Sequence, residues 1–287
     1  MKITTHTQLV CFLKSKKINI KDFDYVEGKT TDDFMADHPM IIHGRRFYEN
    51  PYLWTAVMDM KLNDVVDYLY SLEDLVADTM IIKAAIQTQD MQSKVPMKLI
   101  ERYLDHADKV GVRIGDEEDE SKIDTEFDID SILENLASIG RMEWFQKVVE
   151  LATEHNTKPR YGCFANAGNG MSLYYSVTDV CTMKYGDKFA YYLIDEGADV
   201  SLNDSITFCL ACKYGRYQLA VEMLDHGADL HAKNDLGLKM IMKNDQMVDA
   251  KGTAIKLAED EEMARKILLE RYQEDEAKEE QKEATAE

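Results

Sequence analysis

No stretch of this 287-residue chain holds the roughly 20 uninterrupted apolar residues that a membrane helix requires, so no bilayer-spanning segment is expected. The first 17 residues contain no apolar run leading to a small-residue cleavage site, so a secretory leader is not expected either. Five cysteines, an odd number thinly spread, do not make a disulfide framework. These absences predict a soluble, reduced, cytoplasmic protein.

The signatures of catalysis are missing as well. None of His6, His38, His43, His106, His155, His226 and His231 forms HExxH or a metal-spaced pair beside a thiolate. His106, His155 and His226 each fall near the end of a predicted helix, where imidazole can cap carbonyls and meet the negative dipole end. Cys209-x-x-Cys212 has no second CxxC to complete a zinc site, and it lies beside Leu210 on a predicted helix. A free thiol there behaves as a small hydrophobe, so both are expected in the core. Gly168-Asn169-Gly170 lacks the Lys-Ser/Thr of a phosphate loop and the third glycine of a dinucleotide fingerprint, which leaves turn chemistry. There is no Gly-x-Ser-x-Gly elbow. With 54 carboxylates, close acid pairs arise by chance. The sequence therefore predicts no enzyme, no cofactor and no metal.

Charge is present in excess and unevenly. The net value is −20, which disfavours direct contact with nucleic acid or an anionic membrane. Residues 116–130 carry nine acids against one base, and residues 257–287 carry twelve against five. Those segments supply −8 and −7, leaving −5 for the rest of the chain. The run Asp116, Glu117, Glu118, Asp119 and Glu120 has no mid-loop glycine or closing glutamate of a calcium loop. It reads as a solvated insertion, or alternatively as a mimic of phosphate charge. Arg45-Arg46, beside Phe47 and Tyr48, is the one basic cluster with aromatics, and two arginines in such a chain read as local ion-pair partners.

What the chain does contain is a repeat. Lys184-Tyr185-Gly186 leads to Gly197-Ala198-Asp199-Val200, and Lys213-Tyr214-Gly215 leads likewise to Gly227-Ala228-Asp229-Leu230. The first glycines lie 29 residues apart and the second pair 30 apart. Two glycines per period predict a helix–turn–helix unit in which each glycine ends one helix. Ile206, Phe208, Leu210 and Ala211 before Gly215, and Leu219, Ala220, Met223 and Leu224 after it, keep helical spacing. Weaker echoes surround Leu53 and Val65, Leu99 and Leu104, and Leu133 and Val148, so roughly six units are traceable between Tyr48 and Ala258. Asp105-His106-Ala107-Asp108 copies the Asp225–Asp229 turn with its glycine missing.

The segment Leu224–Gly237 resembles the end of one ankyrin unit and the turn that opens the next. Ala211 four residues before Gly215, and Gly227 twelve after it, match that family's spacing. Asn-Asp after the Gly-Ala-Asp turn is similar to the divergent ankyrins of large DNA viruses. The match is strongest over residues 180–243. Two departures stand out. Ile206-Thr207-Phe208-Cys209 replaces the Thr-Pro-Leu-His signature, and the turn between Val200 and Asp204 is about three residues short.

One helix pair cannot bury its apolar face alone, whereas stacked neighbours form a continuous core. The expected fold is therefore all-α, an ankyrin-like helix–turn–helix solenoid. Residues 1–47 are an N-terminal cap or appended element, with a short strand expected over Ile18–Val26. Residues 48–258 form the stack, with the acidic insertion at 111–130. Residues 259–287 form a capping helix on Ala264, Ile267 and Leu268, then a solvated or fraying acidic tail beyond Gln273.

The resemblance implies a non-catalytic protein-interaction module whose concave face is built from turn fingers and first helices. Carried onto this chain, it points to Asn203, Asp204, Ser205, Lys213 and Tyr214 in one unit, and Lys233, Asp235, Leu236 and Leu238 in the next. Contact with the capping helix is a competing explanation for the two leucines. The alternative function is a virus-encoded inhibitor or acidic decoy that sequesters a basic, nucleic-acid-handling or defence protein of the host through Asp116–Glu120.

Overall fold

The computed structural model describes residues 3–18, 51–72, 79–88, 93–110, 129–244 and 257–286. Among them the architecture is all-α, with paired helices stacked on one another and a C-terminal helix closing the series. The expected strand at 18–26, Arg45-Arg46 and Asp116–Glu120 lie outside the described residues, Ile18 excepted. None of the described helices is long and apolar enough to cross a membrane. The chain divides into two compact units.

The first unit comprises residues 1–136 and 143–160. Helix α1 (His6–Ser15) is capped by Thr5, whose hydroxyl accepts from the Gln8 amide, and buries Leu9 and Leu13. Two helix pairs follow, α2 (Pro51–Asp59) with α3 (Asn63–Tyr70) and α4 (Thr79–Thr88) with α5 (Val95–Val110). The first members, α2 and α4, lie against each other around Leu53, Trp54, Ile81 and Ala85. Between α2 and α3 the chain reverses at Lys61, whose φ of 52° does what glycine does in the better-kept units. Leu62 N–H reaches back to the Val57 carbonyl and Lys61 N–H to that of Met58. Helix α5 runs straight through Asp105–Asp108 to Val110. The expected turn is absent there because no glycine offers the left-handed residue that would end the helix, so His106 lies within α5, four residues before its end. Helices α6 (Ile129–Ser138) and α7 (Met142–Glu154) follow in sequence, with Gly140 at positive φ between them. Asp130 is buried and accepts from the Arg160 amide at 3.1 Å.

The second unit comprises residues 137–142 and 161–287. After a 3₁₀ turn at Phe164–Asn166 come α8 (Met171–Ser176) and α9 (Asp179–Tyr185), which share the first-helix role, and α10 (Lys188–Asp195). Next are α11 (Leu202–Lys213) with α12 (Tyr217–Asp225), then α13 (Ala232–Asn244) and α14 (Glu259–Ala286). Helix α13 stacks on α11 and α14 lies against α12, so the capping helix occupies the second-helix place of the last pair. Gly197, Gly215 and Gly227 all have positive φ and end their helices as the spacing predicts. Ala198 N–H bonds the Leu193 carbonyl, Arg216 N–H that of Ala211, and Ala228 N–H that of Met223.

Helix α14 is fixed by directional contacts as well as by buried Ala264 and Leu268. The Tyr272 hydroxyl donates to the Leu230 carbonyl at 2.5 Å and accepts from the Leu238 amide at 3.1 Å. Near its other end, the Glu261 carboxylate accepts from the Tyr217 and Gln218 amides at 2.5 and 3.0 Å, capping α12 from a different helix. Arg271 pairs with Asp225 at 2.8 Å. Residues 274–286 are helical rather than unwound. They continue the helix to Ala286, held in part by Lys278 on Asp275 at 2.9 Å, and Glu274, Glu276 and Lys278 are exposed as expected of a solvated tail.

Candidate protein-interaction face

The turns that open the units of the second half share one unusual backbone. Asn203, Asp204 and Ser205 all have left-handed φ, at 56°, 54° and 50°. Lys233, Asn234 and Asp235 repeat this at 53°, 56° and 58°. Gly168, Asn169 and Gly170 do the same at 69°, 56° and 84°. The right-handed part of each first helix starts directly afterwards. Left-handed backbone costs most side chains about 1–2 kcal/mol per residue, and glycine, asparagine and aspartate least, which is what fills most of these positions. The short Val200–Asp204 turn now has a physical explanation: a left-handed triplet replaces a longer finger.

The surrounding hydrogen bonds recur with the same period. Asp199 Oδ1 accepts from the Ser201 amide and Asp229 Oδ1 from the His231 amide, both at 2.9 Å. Ser205 N–H returns to the Ser201 carbonyl and Asp235 N–H to that of His231. Adjacent fingers are tied laterally. Asn203 Nδ2 donates to the Asn169 carbonyl at 3.0 Å, and Lys233 pairs with Asp204. The Asp229 amide donates to Ser205 Oγ, and the Asp199 amide to Asn166 Oδ1. The result is a rigid row of polar tips rather than independent loops.

Among the nine residues singled out from the sequence, Asn203, Asp204 and Lys233 are exposed on this row. Asp235 is half-exposed and bonds His231 Nδ1 at 2.7 Å. Lys213 and Tyr214 lie at the other end of α11, with the ammonium 5.3 Å from the ring centroid. Ser205 is 1% exposed, so its hydroxyl serves the fold and has no surface to offer a partner. Leu236 and Leu238 are helical and half-buried, and the Leu238 amide is committed to Tyr272 of the capping helix. Sequence reasoning missed Asn169 as a finger, because the next triplet begins 35 residues after Gly168 instead of 30. It also missed Met183 and Met242, which are 85% and 57% exposed on first helices.

The cysteines lie where core residues belong. Cys209 and Cys212 are buried, and burial pushes both thiols up from the ordinary range. Burial likewise raises the Cys181 thiol to about 11, and its Sγ donates to the Ala137 carbonyl. No thiolate nucleophile arises from such sites. Among the described residues no three His, Cys, Asp or Glu side chains gather as a metal site. His226 caps α12 through Nδ1 against the Glu222 carbonyl at 2.9 Å, as its position predicts.

No protein-family model and no solved structure matches this chain. A curated ankyrin repeat protein of Acanthamoeba polyphaga mimivirus is 35% identical over 49 residues, which is 17% of this chain and 38% of that protein. The match spans well under half of the viral protein, and what it supports is a distant ankyrin-like relationship confined to part of the chain.

Proposed function

We propose that this chain is a non-catalytic protein–protein interaction module that engages its partner through the finger row and the exposed sides of the first helices. The observation that carries this reading is the row itself: three left-handed fingers, cross-tied by Asn203 to Asn169 and Lys233 to Asp204, that present polar tips in fixed positions. Rigid tips lose little conformational entropy on binding. The residues offered to the partner are Asn203, Asp204, Lys213, Tyr214, Lys233, Asp235 and Leu236. The setting proposed is cytoplasmic, in a host cell if the chain is viral.

The second reading, an acidic decoy for a basic host protein, rests on the −20 charge and on the acidic first turn of α14, Glu259, Asp260, Glu261 and Glu262. Binding measured at two salt concentrations separates the two. A finger-row interface keeps its affinity when Asp116, Glu117, Glu118, Asp119 and Glu120 are neutralised together, and loses it when Asn203, Asp204 and Lys233 become alanine. A decoy gives the reverse pattern and weakens steeply with salt.

A further inference from the structure

The second unit separates its charges in a way that the total of −20 conceals. Its second helices and cap carry exposed acids, among them Asp195, Glu196, Asp225, Glu259 and Glu274. The C-terminal ends of its first helices carry lysines: Lys184 on α9, Lys213 on α11 and Lys243 on α13, 29 and 30 residues apart. All three are exposed.

Specific contacts hold these ends side by side. Arg216, just after Gly215, pairs with Asp187, just after Gly186, which aligns the ends of α9 and α11. Asn244 Nδ2 donates to the Cys212 and Lys213 carbonyls at 2.9 and 3.1 Å, which seats the end of α13 against that of α11. The three lysines therefore lie along one series of joined helix ends, as a ridge.

Exposed apolar side chains accompany the cations. Met183 precedes Lys184, Met242 precedes Lys243, and Tyr214, 37% exposed, follows Lys213. A cation at a helix C-terminus is favoured by the helix dipole alone. Two methionines held in solvent beside those cations gain nothing from the dipole. Among the described residues, neither Lys213 nor Lys243 faces a carboxylate. In a chain so rich in acid, Lys213 and Lys243, left without one, are available to an outside partner, and exposed Lys184, which donates to the Gly140 carbonyl at 3.5 Å, flanks them.

We infer that this ridge of Lys184, Lys213 and Lys243, interleaved with Met183, Tyr214 and Met242, docks an acidic partner segment carrying bulky apolar side chains. The inference rests on the interaction-module reading and assigns its partner a chemistry opposite to that of the decoy reading. Carboxylates spaced like the ridge meet the ammonium groups, while apolar anchors cover the methionines. Thioether side chains adapt to differently shaped anchors at little cost. Complementary charge sets orientation and speeds encounter, and the apolar contacts slow release.

The test uses the full chain as bait for a phage-displayed library of random 12-residue peptides, followed by fluorescence polarisation on the selected sequences. The expected pool is rich in Asp and Glu with an aromatic or aliphatic anchor. Its members should bind the Lys184→Glu, Lys213→Glu, Lys243→Glu variant about tenfold or more weakly. A triple Lys→Gln variant, which introduces no like-charge repulsion, should lose less and keeps the test decisive if the Glu variant fails to fold. Circular dichroism checks folding of each. A neutral or basic pool overturns the inference. So does binding lost only on changing Asn203, Asp204 and Lys233, although the module reading then stands. If no peptide is selected, or if neither set of changes weakens binding, both fall. A 20-nucleotide single-stranded DNA bound by the parent and released by the Lys→Glu variant would overturn the acidic segment in favour of nucleic acid.

Discussion

Tyr272→Phe isolates the polar clasp of the capping helix from its apolar packing. The ring stays 2% exposed and only the hydroxyl goes, taking with it the bonds to the Leu230 carbonyl and from the Leu238 amide. Each such bond contributes about 0.5–1.5 kcal/mol net, and here both lost partners are backbone groups near the start of α13. The expected loss is about 2 kcal/mol against local opening of α14. Every 1.4 kcal/mol is a factor of ten, so amide exchange in α14 should quicken about thirtyfold. Hydrogen-exchange mass spectrometry at neutral pH reads this directly. Exchange in α1 to α3 of the first unit should not change. An α14 acceleration below about threefold, or an equal acceleration in α1, would refute the claim that the hydroxyl holds the cap.

Gly237→Ala should destabilise despite alanine's helix propensity, because its Cβ would stand 2.7 Å from Phe208 Cε1 and 3.0 Å from the Tyr272 hydroxyl. A loss of about 1–3 kcal/mol by urea unfolding is expected, and a neutral result would show that Phe208 can move freely. Gly227→Ala meets nothing within 4 Å and should cost only the left-handed backbone penalty of about 1 kcal/mol, largely recovered by Asn. Burial, then the nearby acids Asp187 and Asp260, raise the Glu261 carboxyl above its ordinary value despite the two capping amides. The folded state then holds the extra proton between the unfolded pKa and the raised one, so this group adds stability as pH falls through that window. Melting temperatures followed downward from pH 7 should show this contribution missing in Glu261→Gln. Under native conditions Cys212 and Cys181 should resist a thiol reagent while exposed Cys11 reacts, and equal labelling would contradict their burial.

The helix-ending glycines were legible because glycine reaches left-handed backbone at no steric cost, and Gly197, Gly215 and Gly227 end helices as the spacing predicts. The same rule explains what could not be read. Lys61 performs a glycine's task, and no local preference of lysine announces it. Asp105–Asp108 has the letters of a turn but no residue to end the helix. Among the finger positions, Asn203, Asp204, Asn234 and Asp235 suit left-handed backbone, whereas Lys233 and Ser205 are held there by their neighbours. Ser205 looked like a surface residue because nothing in the sequence places its hydroxyl under the Asp229 amide of the next turn. The acidic tail lacks apolar residues and so read as fraying, while its helix continues from a docked segment that has already met the cost of nucleation.

Because each left-handed triplet passes straight into a right-handed helix, the turn also works as an indexing device. Adding or removing one residue within Asn203–Ser205 or Lys233–Asp235 would rotate the helix that follows by about 100° and swing its apolar stripe away from its neighbour. Length can change without such a penalty where this gearing is absent. The longer path from Gly170 to Gly186, against that from Ser205 to Gly215, is one such place, where the extra residues are taken up by breaking the first helix into α8 and α9. A unit moved into another array would have to bring its triplet intact, residue for residue.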